Sequence, residues 1–162
     1  MTYSVVRADL QQDREGILAL WNRHLPLLPF KSRHFDWGYA DNPFAEGRIW
    51  KLTLNGRTVG VAGLVMRRIT IAGTVVLAGR LGGVAVDQEH RFLGPALMLQ
   101  RAVLDECGRD GLAVVYTCAP QALVGISSRA GFQQVVGLTR YVKLLDVGPF
   151  LSRRLPSARG AR

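Results

Sequence analysis

VAVDQEHRFLGPALMLQRAVLDEC, residues 84–107, is the stretch from which the fold is read. An apolar strand ends at Val86, a polar turn follows, and a helix starts near Gly94. Arg91-Phe92-Leu93-Gly94-Pro95-Ala96 forms an R-x-x-G-x-A element at this strand-to-helix junction. The first N–H groups of a helix are unpaired and point outward with the positive end of its dipole. Such a junction holds a pyrophosphate or another anion. Beyond it, Ala96, Leu99, Val103 and Cys107 make one apolar stripe, with Arg101, Asp105 and Arg109 on the opposite side. Gly108 and Gly111 are expected to end the helix.

Working upstream, IWKLTLNGRTVGVAGLVMRRI reads as two strands around Asn55-Gly56, a strong hairpin signal. A second turn at Ala72-Gly73 leads into TVVLAGRLGGVAV, where Gly82-Gly83 marks a bulge or a close approach. This is a meander of antiparallel strands. At the start, Tyr3 to Ala8 reads as a strand and Asp9 as the N-cap of a helix reaching His24. That helix buries Leu10, Ile17, Leu20 and Trp21, and the prolines of LPLLPF break it. A second short helix is expected from Lys31 to Tyr39, capped by Ser32 and closed by Asp41-Asn42-Pro43. Downstream, LAVVYTC is a buried strand, and Pro120 at N1 opens a helix through Arg129 that Gly131 stops. A last strand region is expected from Phe132 to Leu145, and a helical turn from Phe150 to Leu155. The order β-α-α-β-β-β-α-β-α-β describes an α+β or mixed α/β domain.

A chain of 162 residues with 48% hydrophobic and 20% charged residues suits one folded domain, here 1–146, followed by a basic tail, 147–162. In that tail Arg153, Arg154, Arg159 and Arg162 accumulate without an acidic residue. No apolar run approaches the ~20 residues that span a bilayer, and the first residues carry no signal-peptide core. Cys107 and Cys118 lack metal-ligand or redox spacing, so no metal is expected. These features together predict a cytoplasmic protein. The net charge of +9 implies attraction to polyanions, among them a phosphorylated cofactor. Nucleic acid is not the expected partner, because no helix-turn-helix, zinc or stacking signature accompanies the charge.

The chain resembles the GNAT acyltransferase superfamily from Tyr3 to Leu145. Val84-Ala85-Val86-Asp87 before Arg91-x-x-Gly94-x-Ala96 resembles the family's acetyl-CoA signature, and Ala130-Gly131-Phe132 resembles its closing "lGF". The resemblance implies a central, mostly antiparallel twisted sheet with helices on both faces. It also implies acetyl-CoA, or another acyl-CoA, as co-substrate and direct attack of an amine on the thioester. Val84, Ala85 and Val86 would then hold pantetheine, and Arg91, Phe92, Leu93, Gly94, Pro95 and Ala96 the pyrophosphate. Phe92 and Leu93 make this loop bulkier and less basic than the family pattern, and Pro95 removes one donor.

Where many relatives place a tyrosine acid, this chain has Ser127, a hydroxyl that can donate to sulfur. No Asp or Glu occurs from Arg48 to Val86, so the base is left among Asp87, Glu89, His90, the Asp36/Asp41/Glu46 segment and an ordered water. Ser127, His90 and Asp87 are the catalytic candidates. Cys118, at the end of the fifth strand, would lie near the cleft. Phe35-x-Trp37-x-Tyr39-x-x-Asn42-Pro43 resembles a segment of GNAT-like proteins found beside bacterial polysaccharide or lipid biosynthesis enzymes. It makes Trp37, Tyr39 and Asn42 candidate contacts for the acceptor, a small amine. Two functions remain open: a GNAT-type N-acetyltransferase and a catalytically inactive GNAT-fold binding module. A homodimer is also left open.

Overall fold

The computed structural model describes residues 2–137 apart from 27 and 29, with the side chains of 92 and 93 also set aside. Strand β1 (Tyr3–Arg7) is followed by helix α1 (Arg14–His24) and the one-and-a-half-turn helix α2 (Lys31–Phe35). Then come the meander β2 (Arg48–Leu54), β3 (Arg57–Ile71) and β4 (Thr74–Val86), helix α3 (Pro95–Arg109), strand β5 (Val114–Thr117) and helix α4 (Gln121–Ala130). The sheet order is β1-β2-β3-β4-β5, antiparallel throughout except for the parallel β4–β5 pair. The α+β class holds, and helices cover both faces. On one face α1 and the α2 segment bury Trp21, Phe35 and Tyr39 against Val61, Val65 and Ala85. On the other, Leu99, Val103 and Cys107 of α3 pack on Trp50, Leu52, Leu64 and Leu81.

Both hairpins form where they are expected. Asn55 and Gly56 have φ of 51° and 79°, and Ala72 and Gly73 have 48° and 81°, the paired positive values of a type I′ turn. The Gly82-Gly83 bulge forms too. Val61 pairs with Ala85 and Gly63 with Gly82, so Gly83 and Val84 together face Ala62. Gly83 takes φ 61°, and its carbonyl leaves the ladder to accept from Trp21 Nε1 at 2.9 Å. A Cβ there would meet the Trp21 ring at 2.8 Å.

Several local expectations change. Asp9 does cap a turn, accepting from the N–H groups of Gln11 and Gln12, but regular helix begins only at Arg14. Ser32 is not a cap: Phe30, in the left-handed region, holds that position, and the Ser32 hydroxyl accepts from Arg14. The second helix does not run evenly to Tyr39. It widens after Phe35 into a π turn, Asp36–Ala40, closed by Asp41 N–H donating to Asp36 O at 2.7 Å. Gly108 lies inside α3, and Gly111 takes the left-handed conformation beyond it. Pro120 precedes α4 as its cap instead of occupying N1. Residues 132–137 carry no strand, and the rest of the expected last strand, the Phe150–Leu155 turn and the 147–162 tail lie outside the described residues.

Candidate active site

The sheet opens at one point. The β4–β5 pairing runs from Ala78–Val114 to Leu81–Thr117 and stops. Beyond it β4 continues through residues 82–86, paired to β3 alone, while β5 ends at Thr117. Strand edges without strand partners present N–H and C=O groups to other ligands; here they line a fork between two strands, where the Gly83 and Val86 carbonyls already accept from Trp21 and Arg91. Below the fork the chain makes a 3₁₀ turn, Gln88–Leu93, and enters α3 through Gly94 at φ 78°. Gly94 is exposed, Pro95 occupies N1, and nothing lies within 4 Å of where a Gly94 Cβ would stand. Val84, Ala85, Val86, Arg91, Gly94, Pro95 and Ala96 therefore fall on one continuous path along the fork and its loop.

Two of the three catalytic candidates point elsewhere. His90 Nδ1 lies 2.8 Å from the Tyr3 hydroxyl. Tyr3 belongs to β1, the strand at the sheet edge opposite β5, so the imidazole faces away from the fork. Asp87 is buried, with Oδ1 2.8 Å from His24 Nε2 and 3.3 Å from Arg23 Nη2. Its Oδ2 is 3.6 Å from Arg57 Nη2 and has no hydrogen bond among the described residues. Asp87 is thus the counter-ion of a basic cluster that anchors the loop to α1 and β3. Arg91 extends the cluster, donating from Nε to Val86 O at 3.1 Å and from Nη2 to His24 Nδ1 at 3.1 Å. Since Arg91 only donates, His24 Nδ1 accepts, and His24 Nε2–H donates to Asp87. Their sequence separations of 63 and 67 residues explain why the motif alone gave no sign of this network.

Ser127 lies on α4, just after β5, and is buried. Its carbonyl accepts from Phe132 N–H at 3.0 Å where Gly131, at φ 107°, stops the helix. Cys118 follows the end of β5 and is exposed, while Cys107 is core, its thiol pushed up by burial.

On the α1/α2 face the aromatic segment divides. Trp37 is exposed and stacks on the Arg67 guanidinium, 4.4 Å from ring centroid to Cζ. Tyr39 is completely buried among Trp21, His34 and Phe35, so it cannot stack on an acceptor. Asn42 donates to Gly38 O and Met66 O and accepts from Phe44 N–H, which commits its amide to the backbone. Both are corrected to structural residues, and Trp37 alone is free to meet a ligand. Sequence reasoning missed His34, half-buried between Trp21 and Tyr39 at centroid distances of 5.9 and 6.1 Å. Burial, then the charges of Arg80 and Arg67, lower its pKa.

The family described as "Acetyltransferase (GNAT) domain" matches residues 8–135. The chain belongs to the GNAT acetyltransferase family. No curated protein matches in sequence. Among solved structures, this GNAT chain is similar to a predicted acetyltransferase with acetyl-CoA from Clostridium acetobutylicum, with TM-score 0.70, 14% identity, and 87% of this chain and 96% of that one covered. It is also similar to a GCN5-related N-acetyltransferase from Ralstonia eutropha JMP134, with TM-score 0.68, 16% identity, and 87% and 99% covered. A third is glucosamine-6-phosphate N-acetyltransferase from Arabidopsis thaliana, with TM-score 0.66, 14% identity, and 88% and 100% covered. At these identities the likeness is one of fold.

The GNAT family uses acetyl-CoA, and the residues present fit it. Residues 82–86 offer an unpaired β edge of the kind an extended amide-bearing arm pairs with. The Gly94 entry to α3 leaves open space where a phosphate could approach backbone. Pro95 removes one donor there, and Arg91 holds the Val86 carbonyl. Among the described residues no helix is long and apolar enough to cross a membrane.

Proposed function

We propose that this protein is an N-acyltransferase that moves an acyl group, most simply acetyl, from coenzyme A to a small amine. The observation that carries the reading is the β4–β5 fork ending in the left-handed Gly94 turn. Bound acyl-CoA supplies an activated thioester and a thiolate leaving group. The protein's part is to hold two reactants in line and keep them there. Val84, Ala85 and Val86 bind the pantetheine arm through backbone groups, and the 91–96 segment binds the pyrophosphate. Ser127 donates a hydrogen bond to the departing thiolate. The neutral acceptor amine enters from the α1/α2 face, where Trp37 is exposed. The aromatic segment's resemblance supports an amino-sugar or amino-acid acceptor of polysaccharide or lipid biosynthesis, in the cytoplasm.

Thiol release from acetyl-CoA over a panel of small amines tests the reaction. Turnover with at least one amine is expected. Ser127→Ala is expected to lower kcat about fivefold, the worth of one hydrogen bond of roughly 1 kcal/mol, without changing acetyl-CoA affinity. An unchanged kcat would remove Ser127 from the mechanism. A second reading, an inactive GNAT-fold binding module, is favoured by the Arg91–Val86 bond and by a serine where an acid is common. Turnover with any acceptor rejects it.

A further inference from the structure

Beside the mouth of the fork, on the α1/α2 face, two arginines stand without a counter-charge. Arg80 pairs with Val65, and Arg67 with Ala78 one step along the same face. Both are half-buried, and among the described residues neither has a carboxylate within ion-pair distance. Arg67 Nη1 donates to Met66 O at 3.1 Å, which satisfies one donor but supplies no negative charge, and half-burying a guanidinium without a counter-charge is unfavourable. The chain itself offers little, since no Asp or Glu occurs from Arg48 to Val86.

Two glycines let Tyr39 and Arg80 lie close against the sheet here. Gly82, the register partner of Gly63, is the first β4 residue beyond the β5 pairing. A Cβ on Gly82 would stand 3.5 Å from Arg80 Nη1, and a Cβ on Gly63 only 2.2 Å from the Tyr39 hydroxyl. Arg80 and Tyr39 therefore lie over one glycine pair, at the point where β4 leaves β5. The Tyr39 hydroxyl is fully buried and has no hydrogen-bond partner among the described residues. At the rim Trp37 stacks on Arg67 and fixes its plane.

We infer that Arg67 and Arg80 form an anion subsite on the acceptor face of the sheet, so that the amine acylated by this protein also carries a carboxylate or a phosphoryl group. The inference rests on the acyl-transfer reading, and it goes further by naming the acceptor's second functional group. The guanidinium forks match either anion in a bidentate manner. Trp37 covers the side of the bound molecule that faces solvent.

The test uses the full chain. Tryptophan fluorescence is titrated with inorganic phosphate and, separately, with acetate, at ionic strength held constant with chloride, and the Trp37→Phe variant identifies the signal of that ring. A saturable change with either anion, abolished in the Arg67→Gln/Arg80→Gln double variant, is expected. A change that never saturates, or one the double variant retains, overturns the subsite. Thiol release with β-alanine, O-phosphoethanolamine and ethanolamine then separates the two anions. At least a tenfold higher kcat/KM for one anionic amine over ethanolamine, expressed in KM, is expected, and equal use of all three overturns the inference. Where none of the three reacts, the titration decides alone. Calorimetry with acetyl-CoA on the unsubstituted chain separates the two levels: absent binding would sink acyl transfer yet leave the anion titration to stand or fall separately.

Discussion

A phenol that is fully enclosed and lacks a hydrogen-bond partner, as the Tyr39 hydroxyl does among the described residues, weakens the folded state by the desolvation it is never repaid for. Burial also pushes its ionisation far above the usual tyrosine range. Tyr39→Phe is therefore expected to raise stability by about 1 kcal/mol in urea melts. A loss of that size would mean that the hydroxyl has a partner in solution. His34, in edge contact with Tyr39, makes a pH-dependent contribution. Burial, then Arg80 and Arg67, hold its pKa below 6.5, so the folded chain takes up this proton at lower pH than the unfolded chain. Well above the unperturbed histidine pKa of about 6.5 neither state binds it. As pH falls toward the folded value, only the unfolded chain is protonated and stability drops. The fall in Tm between pH 7.5 and 5.5 should be smaller in His34→Gln, and an equal or larger fall would contradict this placement. Neither residue's role was legible from spacing. The F-x-W-x-Y pattern marks aromatic positions, yet only packing on β3 decides that Trp37 faces out and Tyr39 in.

The elements were legible where one local interaction dictates them. The Asn55-Gly56 and Ala72-Gly73 turns need positive φ at two successive positions, and each dipeptide ends in glycine. Ala72 is the poorer match, because an L-side chain with a Cβ is strained at φ 48°. Ala72→Asn is expected to stabilise the chain by about 1 kcal/mol in the same melts, since asparagine tolerates this region. Destabilisation would show that Ala72 contributes packing that the turn geometry does not reveal. The elements that were misread depend on distant partners. Ser32 loses the cap role because Arg14 binds its hydroxyl, and Phe30 enters the left-handed region ahead of it. His90 and Asp87 were candidates because no Asp or Glu occurs from Arg48 to Val86. Their partners, Tyr3 and His24, lie 87 and 63 residues away and turn them into anchors of the R-x-x-G-x-A loop.

At the scale of the whole molecule, the sheet brings the pieces together. Four antiparallel strands, β1 beside the β2–β4 meander, supply a rigid platform, and the single parallel strand β5 pairs with only part of β4. The bulge at Gly83 and Val84 and the end of the β4–β5 pairing at Leu81 coincide, so strand bending and strand separation open one fork. The junction, the bulge and the apolar stripe of α3 could all be read from the chain, because each follows from neighbours in sequence. The arginine pair without a carboxylate among the described residues could not, since that depends on which charges the fold leaves out of reach. Every part of this reading converges on the fork as a site for an acyl-CoA. Calorimetric titration with acetyl-CoA tests it most directly, comparing the unsubstituted chain with Gly94→Glu, whose carboxylate would enter the open space at the start of α3. Saturable binding that the variant loses, while circular dichroism shows it still folded, is the expected result. No binding at millimolar acetyl-CoA, or the same affinity in both proteins, would contradict the assignment.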